Sequence, residues 1–146
     1  MGVFVAQALQ DPNRNVAYLL QGGIGLPDRE YYLSTAAPMV KTRDGYRKYL
    51  ADLGAALGWP DAKARADRVF ALETKIAQVH VGAVEAQDAK APKEWTVADY
   101  QSNAPGMDWR AFLDGAQLGG QQTIIAWHPK PINGLSALVA SQPIDV

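Results

Sequence analysis

Two histidines, His80 and His128, are the residues of this chain best suited to metal chemistry. Hydrolytic zinc sites commonly use two histidines one helical turn apart with a carboxylate nearby. His80 lies in HVGAV and His128 in HPKPI, so neither belongs to an HExxH motif. An isolated histidine is more typical of the surface or of a hydrogen-bonded core position, and we place His80 on or near the apolar stripe of a helix. The sequence therefore predicts no metal ligand, no cofactor ligand and no catalytic residue.

Closely spaced glycines in GGIGLPD, residues 22–28, suggest a phosphate-binding loop. The dinucleotide fingerprint would require glycine at position 28, where this chain has aspartate, and a Walker loop would require Gly-Lys. The serines form neither a G-x-S-x-G elbow nor an S-x-x-K motif, and the chain has no cysteine. These patterns exclude the common phosphate, serine and thiol chemistries.

The charged and aromatic residues that come after the glycines offer two further hypotheses. Asp28 and Glu30 could form a general acid and base pair, but Arg29 between them favours solvent-facing or capping charges. In an extended chain Tyr31 and Tyr32 would point in opposite directions, so that one is buried and the other could bind a ligand. Anchoring the core is the favoured role for this pair.

Local patterns indicate which elements position these residues. VFVAQAL and VAYLLQ flank the turn formers QDPNRN and predict a β-hairpin. The glycine-rich segment after the hairpin is expected to be a loop. A helix is predicted from Pro38 to Leu57, with an apolar stripe of Tyr46, Tyr49, Leu50, Leu53, Ala56 and Leu57. A second helix, from Pro60 to the mid-80s, carries Val69, Leu72, Ile76, Val79 and Ala83 on one stripe.

The rest of the chain is predicted to be mainly helical. Residues 86–95 have the composition of a connector. The remaining predicted elements are a helix over 97–103 capped by Thr96 with Asp99, a helix capped by Asp108, an extended segment near residues 123–128 and a last helix capped by Asn133. The predicted fold is mainly α: a helical lobe fragment with an N-terminal β-hairpin, forming a single, incomplete domain over residues 1–146.

The composition restricts the function classes. Of the 146 residues, 48% are hydrophobic and 20% are charged, and the net charge is -1. The charges of both signs are interspersed, so the sequence has no basic stripe of the kind that binds nucleic acid. The sequence has no apolar run near the roughly 20 residues that span a bilayer. Its opening is not a signal peptide as written, so either the protein stays inside the cell or its true N-terminus is missing.

The segment GGIGLPDREYYL resembles the G-L-G-L-P-x-R-x-Y-Y signature of neprilysin-type zinc metallopeptidases, a family that includes endothelin-converting enzyme and many bacterial secreted endopeptidases. The flanking segments YRKYLADLGAALGW, RVFALETKIAQ, APGMDWRAFL and IIAWHPKPINGLSALVASQPID are also similar, in the same order. Relatives usually carry R-x-x-R-D after the second helix. Here Asp88 matches, but the arginines are replaced.

This resemblance implies a fragment of the non-catalytic lobe of a larger enzyme. Family members hydrolyse peptide bonds in peptides and small proteins, with zinc held by HExxH and a further glutamate, and those elements lie outside this chain. The residues that match the family signature are expected to have a structural role. These residues are Gly23, Gly25, Leu26, Pro27, Arg29, Tyr31 and Tyr32. The segment would shape or cover the substrate chamber, and the chain alone is predicted to be inactive.

The resemblance also implies partners and a location. The expected partner is the catalytic lobe, with peptide substrates in the intact enzyme, and zinc is expected in the parent enzyme only. Apolar helix faces that the lobe would cover are expected to favour self-association. The family suggests a periplasmic or secreted bacterial location. Two alternatives stay open: a stand-alone protein-interaction or peptide-binding module derived from this lobe, and an enzyme that uses His80 or His128 by itself.

Overall fold

The structure is a computed structural model that describes residues 1–143. The helices are α1 (Glu30–Leu33), α2 (Ala37–Ala56), α3 (Ala62–Val79), α4 (Ala83–Ala86), α5 (Val97–Asn103), α6 (Trp109–Gly115) and α7 (Pro129–Ser141). The strands are β1 (Gly2–Ala8), β2 (Asp11–Leu20), β3 (Lys93–Trp95) and β4 (Ile124–Ala126). With 51% of the residues helical, the mainly α class with an N-terminal hairpin is confirmed.

The strands form a four-stranded sheet in the order β1-β2-β4-β3. β1 and β2 are the antiparallel hairpin, and β3 is antiparallel to β4. β4 pairs in parallel with the end of β2, where Tyr18 lies beside Ile125 and Leu19 beside Ala126. β4 confirms the extended segment near 123–128, and it joins the start of the chain to a strand more than 100 residues later.

One face of this sheet packs against α5, α6 and α7 to form the main core. The buried members of this core are Ala17, Leu19, Tyr100, Ala104, Trp109, Leu113, Ile124, Ala126 and Ile132. The indole Nε1 of Trp109 and the hydroxyl of Ser136 both donate to the Ala104 carbonyl at 2.7 Å. The polar atoms of these two buried side chains are therefore satisfied inside an apolar cluster.

The helices α2 and α3 pack against each other beside this core and bury much less. Among the residues of α2 only Gly54 is buried, and it lies close to the Trp59 ring. Tyr49 is 57% exposed and Leu57 is 62% exposed, although both belong to the predicted apolar stripe. Within residues 1–143, no helix combines the length and apolarity needed to cross a bilayer.

Two helix boundaries predicted from the sequence are wrong. The helix predicted to reach the mid-80s ends at Val79, because the side-chain amide of Gln21 binds the backbone N–H and carbonyl of Val81 and holds the chain extended. The last helix begins at Pro129, four residues before Asn133, because a proline in the first turn lacks only an N–H that the helix does not use. The Asn133 side chain instead donates to the Asn103 carbonyl.

Three extended or turn assignments also need correction. β2 begins at Asp11, so the hairpin turn is shorter than QDPNRN, and residues 12–14 lie at an irregularity in the β1 pairing. The predicted connector over 86–95 begins at the last residue of α4 and contains β3, which forms because β4 offers it a strand edge. Tyr31 and Tyr32 lie in the helix α1 and not in an extended chain, because the Asp28 carboxylate accepts the Glu30 N–H at 2.8 Å and starts the turn.

Two of the predicted capping patterns are confirmed. The Thr96 hydroxyl accepts from the Asp99 N–H, and the Asp99 carboxylate accepts from the Thr96 N–H, which is the predicted capping box of α5. Asp108 accepts from the Ala111 N–H at the start of α6. Both caps join residues three positions apart, so the sequence contains all the information that they need.

Candidate functional site

The GGIGLPDREYYL segment forms a corner between the hairpin and the helices, which we call the tyrosine corner and define as residues 21–33. Gly23 has a φ of 96°, a conformation that side chains with a Cβ rarely adopt. The α1 helix at the end of the corner directs Tyr32 inward, where it is buried, while Tyr31 is half-buried.

The Tyr32 hydroxyl lies at the centre of a hydrogen-bond network. Its oxygen accepts the backbone N–H groups of Gly25 at 3.1 Å and Leu26 at 2.9 Å. Its proton is donated to Glu73 Oε2 at 2.7 Å, and the Tyr46 hydroxyl donates to Glu73 Oε1 at 3.0 Å. The network therefore ties the corner to both α2 and α3 through a single carboxylate.

The electrostatics of the network keep both phenols protonated. Burial raises the pKa of Tyr32 well above its usual range, and the hydrogen bond to Glu73 adds to the increase. Burial and the same carboxylate raise the pKa of Tyr46 to about 12. Neither hydroxyl can act as a base near neutral pH.

Glycine is required at position 25 for a steric reason. A Cβ built there would overlap the Tyr46 hydroxyl and would lie 2.9 Å from the Tyr46 ring carbon that carries it. The close approach lets the Gly25 N–H reach Tyr32. The family resemblance singles out Gly25 and Tyr32, whereas the sequence pattern marks Tyr46 only as part of an apolar stripe.

Two arginines hold the outer side of the corner. Arg29 Nε donates to the Ala77 carbonyl near the end of α3 at 3.3 Å. Arg43 Nη1 donates to the carbonyls of Tyr31 at 3.1 Å and Ser34 at 2.7 Å, on either side of the end of α1. The sequence does not reveal this role of Arg43, because its partners are backbone carbonyls that no residue pattern marks.

The other residues of the motif have simpler surroundings. Pro27 is exposed and Leu26 is half-buried. The Asp28 carboxylate accepts the Glu30 N–H in the turn that leads into α1, and the exposed Glu30 carboxylate lies 3.6 Å from Arg29 Nη1. Each carboxylate therefore has a local partner, and the two do not share a hydrogen bond.

The two histidines lie close to the residues that follow β2. His80 is the residue after α3 rather than a member of the helix stripe, and its buried Nε2 has no hydrogen-bond partner in residues 1–143. His128 Nδ1 accepts the Gln21 N–H at 3.1 Å, and its Nε2 lies 3.1 Å from the Ala86 carbonyl. Burial lowers the pKa of both histidines.

The side chains that could bind a metal ion do not come together within residues 1–143. No group of three or more His, Asp or Glu side chains in the described part of the chain could hold a metal ion. A hydrolytic zinc site needs three protein ligands and an open position. The described residues therefore offer neither a zinc site nor a base beside one.

A comparison with known sequences decides the family. The model of the N-terminal part of Peptidase family M13 matches residues 1–146. The chain belongs to peptidase family M13. The expected neprilysin-type family is thereby confirmed.

Individual members of family M13 are similar over nearly the whole chain. Endothelin-converting enzyme 1 of Cavia porcellus is 28% identical over 145 residues, which cover 94% of this chain and 19% of that protein. The Homo sapiens enzyme of the same name is 27% identical over 145 residues, with the same coverage. The chain therefore spans about a fifth of the length of the curated relatives that it matches.

Solved structures show the same fold. The Mycobacterium tuberculosis zinc metalloprotease Zmp1 in its open state matches with a TM-score of 0.89 and 27% identity, over 99% of this chain and 23% of that one. The inhibitor complex of Zmp1 matches with a TM-score of 0.85 and 28% identity, over 99% of this chain and 22% of that one. This M13 segment thus has the architecture of a part of a larger metalloprotease.

Proposed function

We propose that this M13 chain is part of the non-catalytic lobe of a zinc endopeptidase that hydrolyses peptide bonds in peptides and small proteins. The observation that carries the proposal is the match to Zmp1 over 99% of this chain with a TM-score of 0.89. The lack of any three-residue ligand group within residues 1–143 supports a role without chemistry of its own. Zinc would be bound in the parent enzyme by residues outside this chain.

In this proposal the tyrosine corner is structural and fixes the shape of a lobe that covers the substrate chamber. The network around Glu73 supports this role, because it joins the corner to α2 and α3 and engages both phenol hydroxyls as hydrogen-bond donors to one carboxylate. The proposed structural residues of the motif are Gly23, Gly25, Leu26, Pro27, Arg29, Tyr31 and Tyr32.

The proposed partner is the catalytic lobe of the same enzyme, and residues 1–146 would be an incomplete domain without it. An apolar groove of about 250 Å³ between α3 and α7 supports this view. Its lining includes Leu72, Ile76, Leu138 and Val139. Apolar surfaces of this kind favour association, so we expect the isolated chain to form dimers or larger species. A periplasmic or secreted location is part of the same proposal.

The test compares this chain with its parent enzyme. Each is incubated with zinc and a fluorogenic peptide, and cleavage is measured by fluorescence. We expect cleavage by the parent that a chelator abolishes, and none by the chain alone. Zinc-dependent cleavage by the purified chain, lost on replacing His80 and His128 with alanine, would overturn the proposal in favour of an enzyme built on those histidines.

A stand-alone binding module is the second candidate, and the exposed apolar groove favours it equally. The two candidates require different downstream coding sequences. A reading frame that continues into HExxH supports the peptidase lobe, and a frame that stops at residue 146 supports the binding module.

A further inference from the structure

A groove of about 300 Å³ lies between the turn of the hairpin, at residues 8–14, and the segment that leads into β3. Its floor contains Tyr18 and Ile125, which are neighbours across the β2–β4 pairing. Ala8 and Leu9 form one apolar wall, and Leu9 is 60% exposed. The groove therefore offers apolar contact area, mainly at Leu9.

A stretch of β2 beside this groove has a strand partner on one side only. β1 pairs with β2 along the hairpin, but β4 reaches only Tyr18 and Leu19. No strand of residues 1–143 pairs with the opposite edge of β2 from Asp11 to Ala17. Since Asp11 and Arg14 line the groove, this edge can pair with an extended chain that enters there.

The charges of the rim favour a negatively charged partner. Lys90 and Lys93 line the groove, and neither forms an ion pair with a carboxylate of the described residues. The lining carries three cationic side chains, Arg14, Lys90 and Lys93, against the two carboxylates of Asp11 and Glu94, so its net charge is positive. Glu94 accepts the Thr123 hydroxyl at 2.6 Å and lies 3.7 Å from Arg14. The Asp11 carboxylate accepts the Asn13 N–H at 3.1 Å.

We propose that this groove binds an extended polypeptide segment in which apolar side chains alternate with acidic ones. The backbone would pair with the edge of β2, an apolar side chain would pack against the exposed Leu9, and acidic side chains would lie near Lys90 and Lys93. The inference rests on the proposed function, because it makes the groove a recognition site for peptide substrates of the parent enzyme. A peptide that alternates in this way presents its two kinds of side chain on opposite faces.

The test measures binding to a fluorescein-labelled octapeptide that alternates leucine with glutamate, by fluorescence anisotropy. A second peptide carries lysine in place of glutamate. The groove variant is Lys90→Glu with Lys93→Glu, and its control is Lys41→Glu with Lys48→Glu on α2, which changes the net charge equally. Since each reversal turns an attraction into a repulsion, we expect the groove variant to weaken binding of the acidic peptide by about tenfold or more at low salt.

Two further measurements distinguish binding in the groove from binding elsewhere on the chain. Chemical shift changes on adding the acidic peptide should be confined to residues 8–18, 89–94 and 125, and 0.5 M salt should weaken binding because it screens exposed charges. Equal binding of both peptides, equal loss in the control variant or no binding would overturn the inference. So would shift changes at these residues that depend on chain concentration alone, because the occupant would then be a second copy.

Peptide binding in the groove is measured independently of peptidase activity. If the parent enzyme cleaves its peptide while the groove variant binds the acidic octapeptide normally, only the groove assignment is rejected. If the parent fails to cleave any peptide, the proposed function is rejected whatever the groove binds.

Discussion

The sheet with α5, α6 and α7 buries Trp109 and Tyr100 completely, whereas α2 leaves Tyr49 more than half exposed. The first region depends on apolar burial, with the Trp109 ring packed against the Tyr100 ring at a centroid distance of 4.8 Å. The second region depends more on directional bonds, which Tyr32 and Tyr46 donate to Glu73. Arg47 of α2 also donates to Asp67 of α3 at 2.6 Å, and the Tyr32 ring stacks on Phe70. Polar geometry therefore positions the α2–α3 pair and leaves it with apolar surface for another partner.

The largest expected effect comes from the apolar region. Trp109→Ala should lower the free energy of unfolding by about 3–5 kcal/mol, because it removes a fully buried side chain and one hydrogen bond to the Ala104 carbonyl. Urea denaturation monitored by circular dichroism measures the loss. Val84→Ala is the control, since Val84 is 90% exposed and should change stability by less than about 0.5 kcal/mol. A similar loss in both variants would contradict the comparison.

The polar region should show an intermediate effect. Gly25→Ala should lower stability by about 1–3 kcal/mol, because the new methyl group forces Tyr46 away from Glu73. Gly45→Ala is a matched control: Gly45 lies inside α2 with open space around its Cβ position, so alanine should stabilise the helix by about 0.5–1 kcal/mol. The same urea titration gives both values. Gly25→Ala with wild-type stability would show that the corner is looser than the structure indicates.

The smallest effect should be the pH response of the junction between the two regions. The folded-state pKa of His128 and of His80 is held below the ordinary 6.5 by burial, so below pH 6.5 the unfolded chain binds protons more readily. Their contribution to stability is therefore complete above pH 6.5 and is lost as the pH falls through the folded values. The urea midpoint should fall between pH 7 and pH 5.

His128→Gln provides the control for this pH response. Glutamine does not titrate, so the fall between pH 7 and pH 5 should become shallower. Asp67 and Asp99 have pKa values held below 3.8 by hydrogen bonds, so their losses occur at lower pH. An unchanged slope in His128→Gln would assign the response to His80 or to other groups.

How well the sequence predicts an element depends on how far apart in the chain the residues lie whose contacts set its ends. The caps at Thr96 and Asp108 are predictable because each bonds to an amide three positions on. The end of α3 is not, because it is set by Gln21, which binds Val81 from 60 residues away. Short-range patterns identify elements, and distant side chains decide where they stop.

The candidate site obeys the same rule. The glycines and tyrosines of residues 21–33 are recognisable because they form a contiguous motif. The roles of Tyr46 and Arg43 are not, since one occupies an apolar stripe position and the other binds only carbonyls. From the sequence alone, a tyrosine whose hydroxyl binds a carboxylate cannot be distinguished from one that only packs.

The parallel pairing of β2 with β4 has a consequence for synthesis of the protein. The hairpin leaves the ribosome before β4, the strand that fixes its position, which is made more than 100 residues later. Until then Leu19 lacks the cluster that covers it, and contacts so distant in sequence form slowly. The nascent hairpin must therefore remain undocked until residues 124–126 have been made, and during that interval chaperones and proteases can reach it.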